Sequence, residues 1–90
     1  MTSEDEIWKL YGYVVRSEYR KLIVERLYSR PAMPKEIAQA TSKPMSHISR
    51  ALKELENRKI VICINPQDKK GRIYRLTEKG KQIAKIILKT

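Results

Sequence analysis

Pro34-Lys35-Glu36-Ile37-Ala38-Gln39-Ala40-Thr41-Ser42-Lys43-Pro44-Met45-Ser46-His47-Ile48-Ser49-Arg50-Ala51-Leu52-Lys53-Glu54-Leu55-Glu56-Asn57-Arg58 is the stretch on which the fold turns. A proline opens each half. Proline suits the first turn of a helix, where its missing N–H would have no intrahelical partner anyway. Ile37 and Ala38, with Ala40, then point one way on a short helix over 34–41. Ile48, Ala51, Leu52 and Leu55 recur at helical spacing on a longer helix over 44–58. Thr41-Ser42-Lys43 is a break of three residues between them.

Working outward, Lys59 leads into Ile60-Val61-Ile62-Cys63-Ile64, a β-branched run that predicts a strand. Asn65–Gly71 is a charged, turn-rich tip. Arg72–Leu76 alternates Ile73 and Arg75 with Tyr74 and Leu76, a second strand, so the two form a hairpin with a long loop. Thr77 then caps a last helix over 78–89, with Ile83, Ile86 and Ile87 on one stripe. Gly80 lies on that stripe too, where it lets a neighbour approach closely. Upstream, Ser17 caps a helix ending at Arg30-Pro31, since the residue before proline avoids helix. Tyr19, Ile23 and Leu27 align on it, and Leu22, Val24 and Tyr28 widen the stripe. The first helix covers 3–14, with Ser3 and Glu6 as a capping box. Ile7, Leu10, Tyr11 and Val14 share its main face, and Trp8 and Val15 form a second apolar strip about 100° away.

The chain has 90 residues, so about 60–65% of its unfolded surface can be buried in one small core. A single domain over 1–90 follows, mainly α with a small β-hairpin. With 41% apolar residues and three glycines, disorder is not expected. The longest uncharged run, Ile60–Gln67, is far short of a membrane span. Glu4, Asp5 and Glu6 stand where a secretory signal would place bases, so no signal segment is expected. One cysteine, Cys63, makes no internal disulfide, and a reducing, cytoplasmic setting is the natural expectation. The net charge is +10. All twenty bases but only seven of the ten acids lie in residues 7–90, a net +13 there. From Asn57 to Lys81, Arg58, Lys59, Lys69, Lys70, Arg72, Arg75, Lys79 and Lys81 stand against Asp68 and Glu78. Such a balance suits a polyanion, most often nucleic acid.

Two helices joined by about three residues make a helix-turn-helix, whose second member can enter a DNA major groove. At 100° per residue Ser46, Arg50, Lys53 and Asn57 lie opposite Ile48, Leu52 and Leu55, flanked by His47 and Ser49. Hydroxyl, imidazole and guanidinium groups there could bond base edges or phosphates, and Arg50 could grip guanine O6 and N7 together. A polar outer face is also what any amphipathic helix must show. The hairpin shifts that balance. Lys69, Lys70 and Arg72 surround the flexible Gly71, on a basic ribbon following directly after the helix, suited to backbone or minor-groove contact.

Ile37-Ala38, the segment Ser46–Glu56 and Tyr74-Arg75-Leu76-Thr77-Glu78-Lys79-Gly80 resemble winged helix-turn-helix transcriptional regulators, ArsR- and MarR-like, and in particular small archaeal members. The resemblance covers about residues 17–84. It implies a sequence-specific regulator of double-stranded DNA, with Ser46, Ser49 and Arg50 in the major groove and Lys69–Arg72 as the wing. Some positions depart from the family pattern: Met33 stands where a Ser or Thr cap is usual, Ser42 replaces the common turn glycine, Lys43 replaces an apolar residue, and Pro44 holds the cap position. Lys43 could add a phosphate contact.

Metal sensing, common among ArsR-type proteins, needs clustered ligands, and this chain has one Cys and one His. No metal, no cofactor and no catalysis are expected, for there is no phosphate loop, dinucleotide fingerprint or nucleophile–base set. Cys63 reads as a small buried hydrophobe. The terminal helices carry more apolar surface than one small core needs, so Ile7, Trp8, Tyr11, Val15, Ile83, Ile86 and Ile87 are expected at a homodimer interface. An architectural nucleic-acid binder and a protein-interaction adaptor remain as alternatives. The operator, the regulated genes and any effector are not written in the sequence.

Overall fold

The computed structural model describes residues 3–89, and of Ser3 the backbone alone, so the Ser3 capping box lies outside the described residues. Seven elements follow in order: α1 (Ser3–Val15), α2 (Glu18–Ser29), α3 (Pro34–Thr41), α4 (Met45–Asn57), β1 (Val61–Cys63), β2 (Tyr74–Leu76) and α5 (Glu78–Lys89). The expected order holds throughout, and the fold is a winged helix-turn-helix with added terminal helices. Among the described residues no helix is long and apolar enough to cross a membrane.

Helix α2 is the centre of the packing. Ile23, Val24 and Leu27 are buried in one core cluster with Val14 of α1, Ile37 of α3, Ile48, Leu52 and Leu55 of α4, Leu76 of β2 and Ile83 of α5. Tyr28 departs from the expected stripe. It is exposed near the C-terminal end of α2, beyond the reach of the core, and Ala40 is likewise exposed on α3.

The caps explain the boundaries. Ser17 accepts the Arg20 amide at 3.3 Å and starts α2. Met33 has no capping oxygen, but Glu36 Oε1 turns back to accept the Met33 amide at 2.8 Å, so half of a capping box survives. Pro44 is the cap residue of α4 rather than its first turn, and Arg58 closes that helix. After α4 the chain reverses through Lys59 in the left-handed region, φ 59°, where glycine is the usual occupant. There the Ile60 amide reaches Leu55 O at 2.9 Å and the Lys59 amide reaches Glu56 O at 3.0 Å. Ser42, φ 57°, does the same work after α3 in place of the common glycine.

Spending the Ile60 amide on α4 shortens the strand, which runs only Val61–Cys63 instead of 60–64. Val61 pairs with Leu76, Ile62 with Arg75 and Cys63 with Tyr74, antiparallel. Ile64 adds one further bond to Ile73 O at 2.8 Å. A third edge escaped the sequence reading: Ala32 and Tyr74 exchange both backbone bonds, at 3.0 and 2.9 Å. This bridge fixes the α2–α3 connection to the hairpin. Thr77 then locks the hairpin to α5. Its hydroxyl accepts the Gly80 amide at 3.1 Å and donates to Lys59 O at 2.7 Å. An ion pair between Lys79 and Glu6 ties α5 to α1.

Candidate DNA interface

The helix-turn-helix is α3, the turn Ser42-Lys43-Pro44, and α4. Ile48, Ala51, Leu52 and Leu55 are buried beneath α4, which turns Ser46, His47, Ser49, Arg50 and Lys53 outward, all exposed. Placement of the polar strip follows from the apolar one. With four residues of a 13-residue helix sealed in the core, the opposite arc has nowhere to go but solvent.

Two of the contact residues expected in the turn and α4 are already engaged within the chain. Lys43, expected to add a phosphate contact, is paired with an acid in the free chain. Its ammonium sits 3.0 Å from Glu18 Oε1, and the hydrogen bond and charge of that carboxylate hold it above the ordinary lysine range. The pair is exposed, so it contributes little to stability. His47 is exposed but not loose: its ring stacks on Tyr19 of α2, centroids 4.9 Å apart and planes 5° from parallel. Arg20, next in sequence, pairs with Glu54 at 3.7 Å and lays its guanidinium over Tyr13 of α1, 3.8 Å from the centroid. Arg20 Nε consequently makes no hydrogen bond. Arg58, at the end of α4, covers the same ring at 4.2 Å.

The wing tip is braced by side-chain hydrogen bonds. Asn65 Oδ1 accepts the Ile73 amide at 2.7 Å, while its Nδ2 donates to Gly71 O at 3.1 Å and to Asp68 Oδ2 at 3.0 Å. Arg72 Nε donates to Asp68 O at 2.9 Å, so part of this expected DNA-contact group is used to shape the loop. Gly71 takes φ 71°, the left-handed turn that a side chain would strain. Lys69 and Lys70 are exposed on the loop so formed. Between the wing and the start of α4 lies a cleft of about 320 Å³ lined by Met33, Lys35, Met45, Lys69 and Arg72. Lys35 was missed from the sequence, because nothing local says that the first turn of α3 faces the wing. Replacing Asn65 with Ala is expected to cost about 1 kcal/mol. Amide exchange at Ile73 should speed up while α4 amides stay protected; unchanged exchange at Ile73 would show that the brace carries nothing.

A family model, the HxlR-like helix-turn-helix, matches residues 14–90. The chain belongs to the HxlR-like helix-turn-helix family. No curated protein sequence matches it. Among solved structures, the adhesin competence repressor AdcR from Streptococcus pyogenes is similar over 99% of this chain and 72% of its own, with TM-score 0.74 and 18% identity. MepR of S. aureus, solved as a DNA complex, is similar over 96% and 70%, with TM-score 0.73 and 18% identity. The transcriptional regulator SlyA is 27% identical over 77% of this chain and half of its own, with TM-score 0.69. These neighbours are of the MarR-like kind that the resemblance named, and at under 25% identity the first two show the fold alone. This HxlR-like chain is a DNA-binding transcriptional regulator.

The apolar terminal residues divide. Ile7, Ile83 and Ile87 are buried in the chain's own core, at 7%, 0% and 5% exposure. The expectation that they face a partner is therefore corrected: α1 and α5 pack on each other and on α2, and use those faces internally. Tyr11 and Ile86 are half-buried against the same core. Trp8, Val15 and Leu88 are each exposed, and Trp8 rests edge-on against Tyr11 with centroids 5.6 Å apart. Cys63 is buried. Among the described residues no group of three or more His, Cys, Asp and Glu is placed to hold a metal.

Proposed function

We propose that this HxlR-like regulator reads a specific DNA site with the outer strip of α4, Ser46, His47, Ser49, Arg50 and Lys53, in the major groove. Lys69, Lys70 and Arg72 of the wing meet the backbone or the adjacent minor groove. The observation that supports this reading is the exposure of a polar and cationic strip on α4, whose first residue, Met45, shares a cleft with Lys35 and with Lys69 and Arg72 of the wing. A phosphate of the strand passing between helix and wing would meet Lys35 as well. The setting is cytoplasmic. Selection of bound sites from random DNA is expected to return one defined motif. Binding without preference would instead favour an architectural role, since the net +13 of residues 7–90 attracts any duplex.

We further infer a homodimer, with Trp8 and Val15 of α1 and Leu88 of α5 as its exposed anchors. An exposed tryptophan with apolar neighbours marks an interaction surface. A two-fold contact there would place two copies of α4 about 34 Å apart, one DNA turn. The selected motif should then be palindromic. Trp8→Asp should yield a folded monomer by sedimentation, with weak binding to that site. A wild-type chain that sediments as a monomer at high micromolar concentration would sink the dimer and leave the helix and wing roles standing.

A further inference from the structure

We propose that Tyr19 is a specificity-determining positioning residue: it holds the imidazole of His47 edge-on to the major groove, where His47 donates a hydrogen bond to the N7 of one purine for each α4 bound. This rests on the reading of α4 as the DNA-reading helix, and adds to it a second-element residue and a base preference.

Three consecutive residues in the first turn of α2 each hold one position along the turn and α4. Glu18 binds Lys43 at 3.0 Å, Tyr19 stacks on His47 at 4.9 Å, and Arg20 pairs with Glu54 at 3.7 Å. Tyr19 is itself fixed, because its ring packs on the core and the Lys43 ammonium lies 5.7 Å from its centroid. The parallel stack covers one face of the imidazole and leaves its edge free. Among the described residues nothing hydrogen-bonds the ring nitrogens of His47. An exposed histidine without such a partner samples several rotamers and loses that freedom on binding. The stack removes the freedom beforehand.

Position and chemistry then name the base feature. His47 is the third residue of α4 and lies one turn before Arg50, in the part of the helix that reaches base edges. Neutral or charged, an imidazole carries at least one N–H in the ring plane. The purine N7 is the acceptor that adenine and guanine share in the major groove and that pyrimidines lack. An edge-on imidazole held at the N7 position therefore favours a purine there over cytosine, which offers only an N4 donor, and over thymine, whose O4 acceptor lies elsewhere in the groove beside a methyl group.

The test uses the full chain and the site selected from random DNA, with each purine replaced in turn by its 7-deaza analogue. Wild type is expected to lose about three- to tenfold in affinity at one purine for each α4 bound. Tyr19→Phe keeps the stack and should keep that penalty. Tyr19→Leu should lose most of it, since an aromatic stack is worth about two- to tenfold in population. His47→Ala should abolish it, and Tyr19→Leu in the His47→Ala background should add nothing. Because His47 is exposed, His47→Ala tests the idea even if Tyr19→Leu is poorly folded. A full 7-deaza penalty in folded Tyr19→Leu or in His47→Ala overturns the proposal. If a motif is selected and Arg50→Ala relaxes it, but no purine responds to His47, this inference alone fails. If no motif is selected, the reading of α4 fails with it.

Discussion

Gly80→Ala is expected to destabilise the chain by about 2–4 kcal/mol, although in an open helix the same change would stabilise it. A Cβ at Gly80 would lie 2.3 Å from Ile60 O, and 3.1 and 3.2 Å from Leu76 Cδ2 and Cβ. The first of these is backbone and cannot swing aside. Ile60 O also accepts the Thr77 amide at 3.0 Å, so moving it disturbs the start of α5 as well as the chain leaving α4. Three elements meet there: the end of α4, the end of β2 and the first turn of α5. For a domain of this size the loss corresponds to a fall in Tm of roughly 10–25 °C. Gly12→Ala is the control. Gly12 lies within α1 with nothing near its would-be Cβ, so alanine there should gain about 0.5–1 kcal/mol. Urea unfolding of both variants decides the matter: a Gly80→Ala chain as stable as wild type would mean that α5 slides away from Ile60 at little cost.

Gly80 shows what local sequence can reveal. Its place on the apolar stripe of α5 was enough to expect a close neighbour, though not to say which. The helices were legible because each carries an apolar stripe bounded by a proline, a cap or both, as at Pro34, Pro44, Ser17 and Thr77. The hairpin was legible from Ile60–Ile64 and the alternation around Tyr74, but its length was not. How far a strand runs depends on who takes the end amides, and α4 takes that of Ile60. Contacts between elements lay beyond reach. Nothing near Tyr19 predicts a ring stacked on His47, and nothing near Ala32 predicts its bridge to Tyr74. The dimer expectation went astray at Ile7, Ile83 and Ile87 for a related reason. A stripe says that a face is buried, and only the packing of α1, α2 and α5 says that the chain buries it against itself. The wing tip was partly readable: Asn65-Pro66 and Asp68 mark a turn, yet the bonds from Asn65 to Ile73 and Gly71 make it a braced loop.

Arg50→Ala and Lys70→Ala are expected to weaken DNA binding in different ways. Arg50 projects from the exposed arc of a helix whose other side is sealed by Ile48, Ala51, Leu52 and Leu55, so its backbone is fixed relative to the core of the domain. In the proposed major-groove placement a guanidinium there would gain its energy from base edges, and a bidentate grip on guanine would exist at one base pair and not its alternatives. Removing it should cost about 1–3 kcal/mol on the selected site and little on random DNA. Lys70 stands on the wing loop as a point charge on a long stem, suited to phosphates, which are the same in every sequence. Lys70→Ala should therefore weaken selected and random DNA alike, and lower the slope of log affinity against log salt by about one for each phosphate no longer neutralised. Neither side chain packs in the core, so circular dichroism should show both variants folded. The salt slope separates the two mechanisms, since it counts displaced counterions and is indifferent to hydrogen bonds on bases. Equal weakening on both DNAs for Arg50→Ala, with a reduced slope, would make Arg50 a second phosphate ligand and the chain an architectural binder. Unchanged binding by both variants would reduce the strip and the wing to a solvated cationic face.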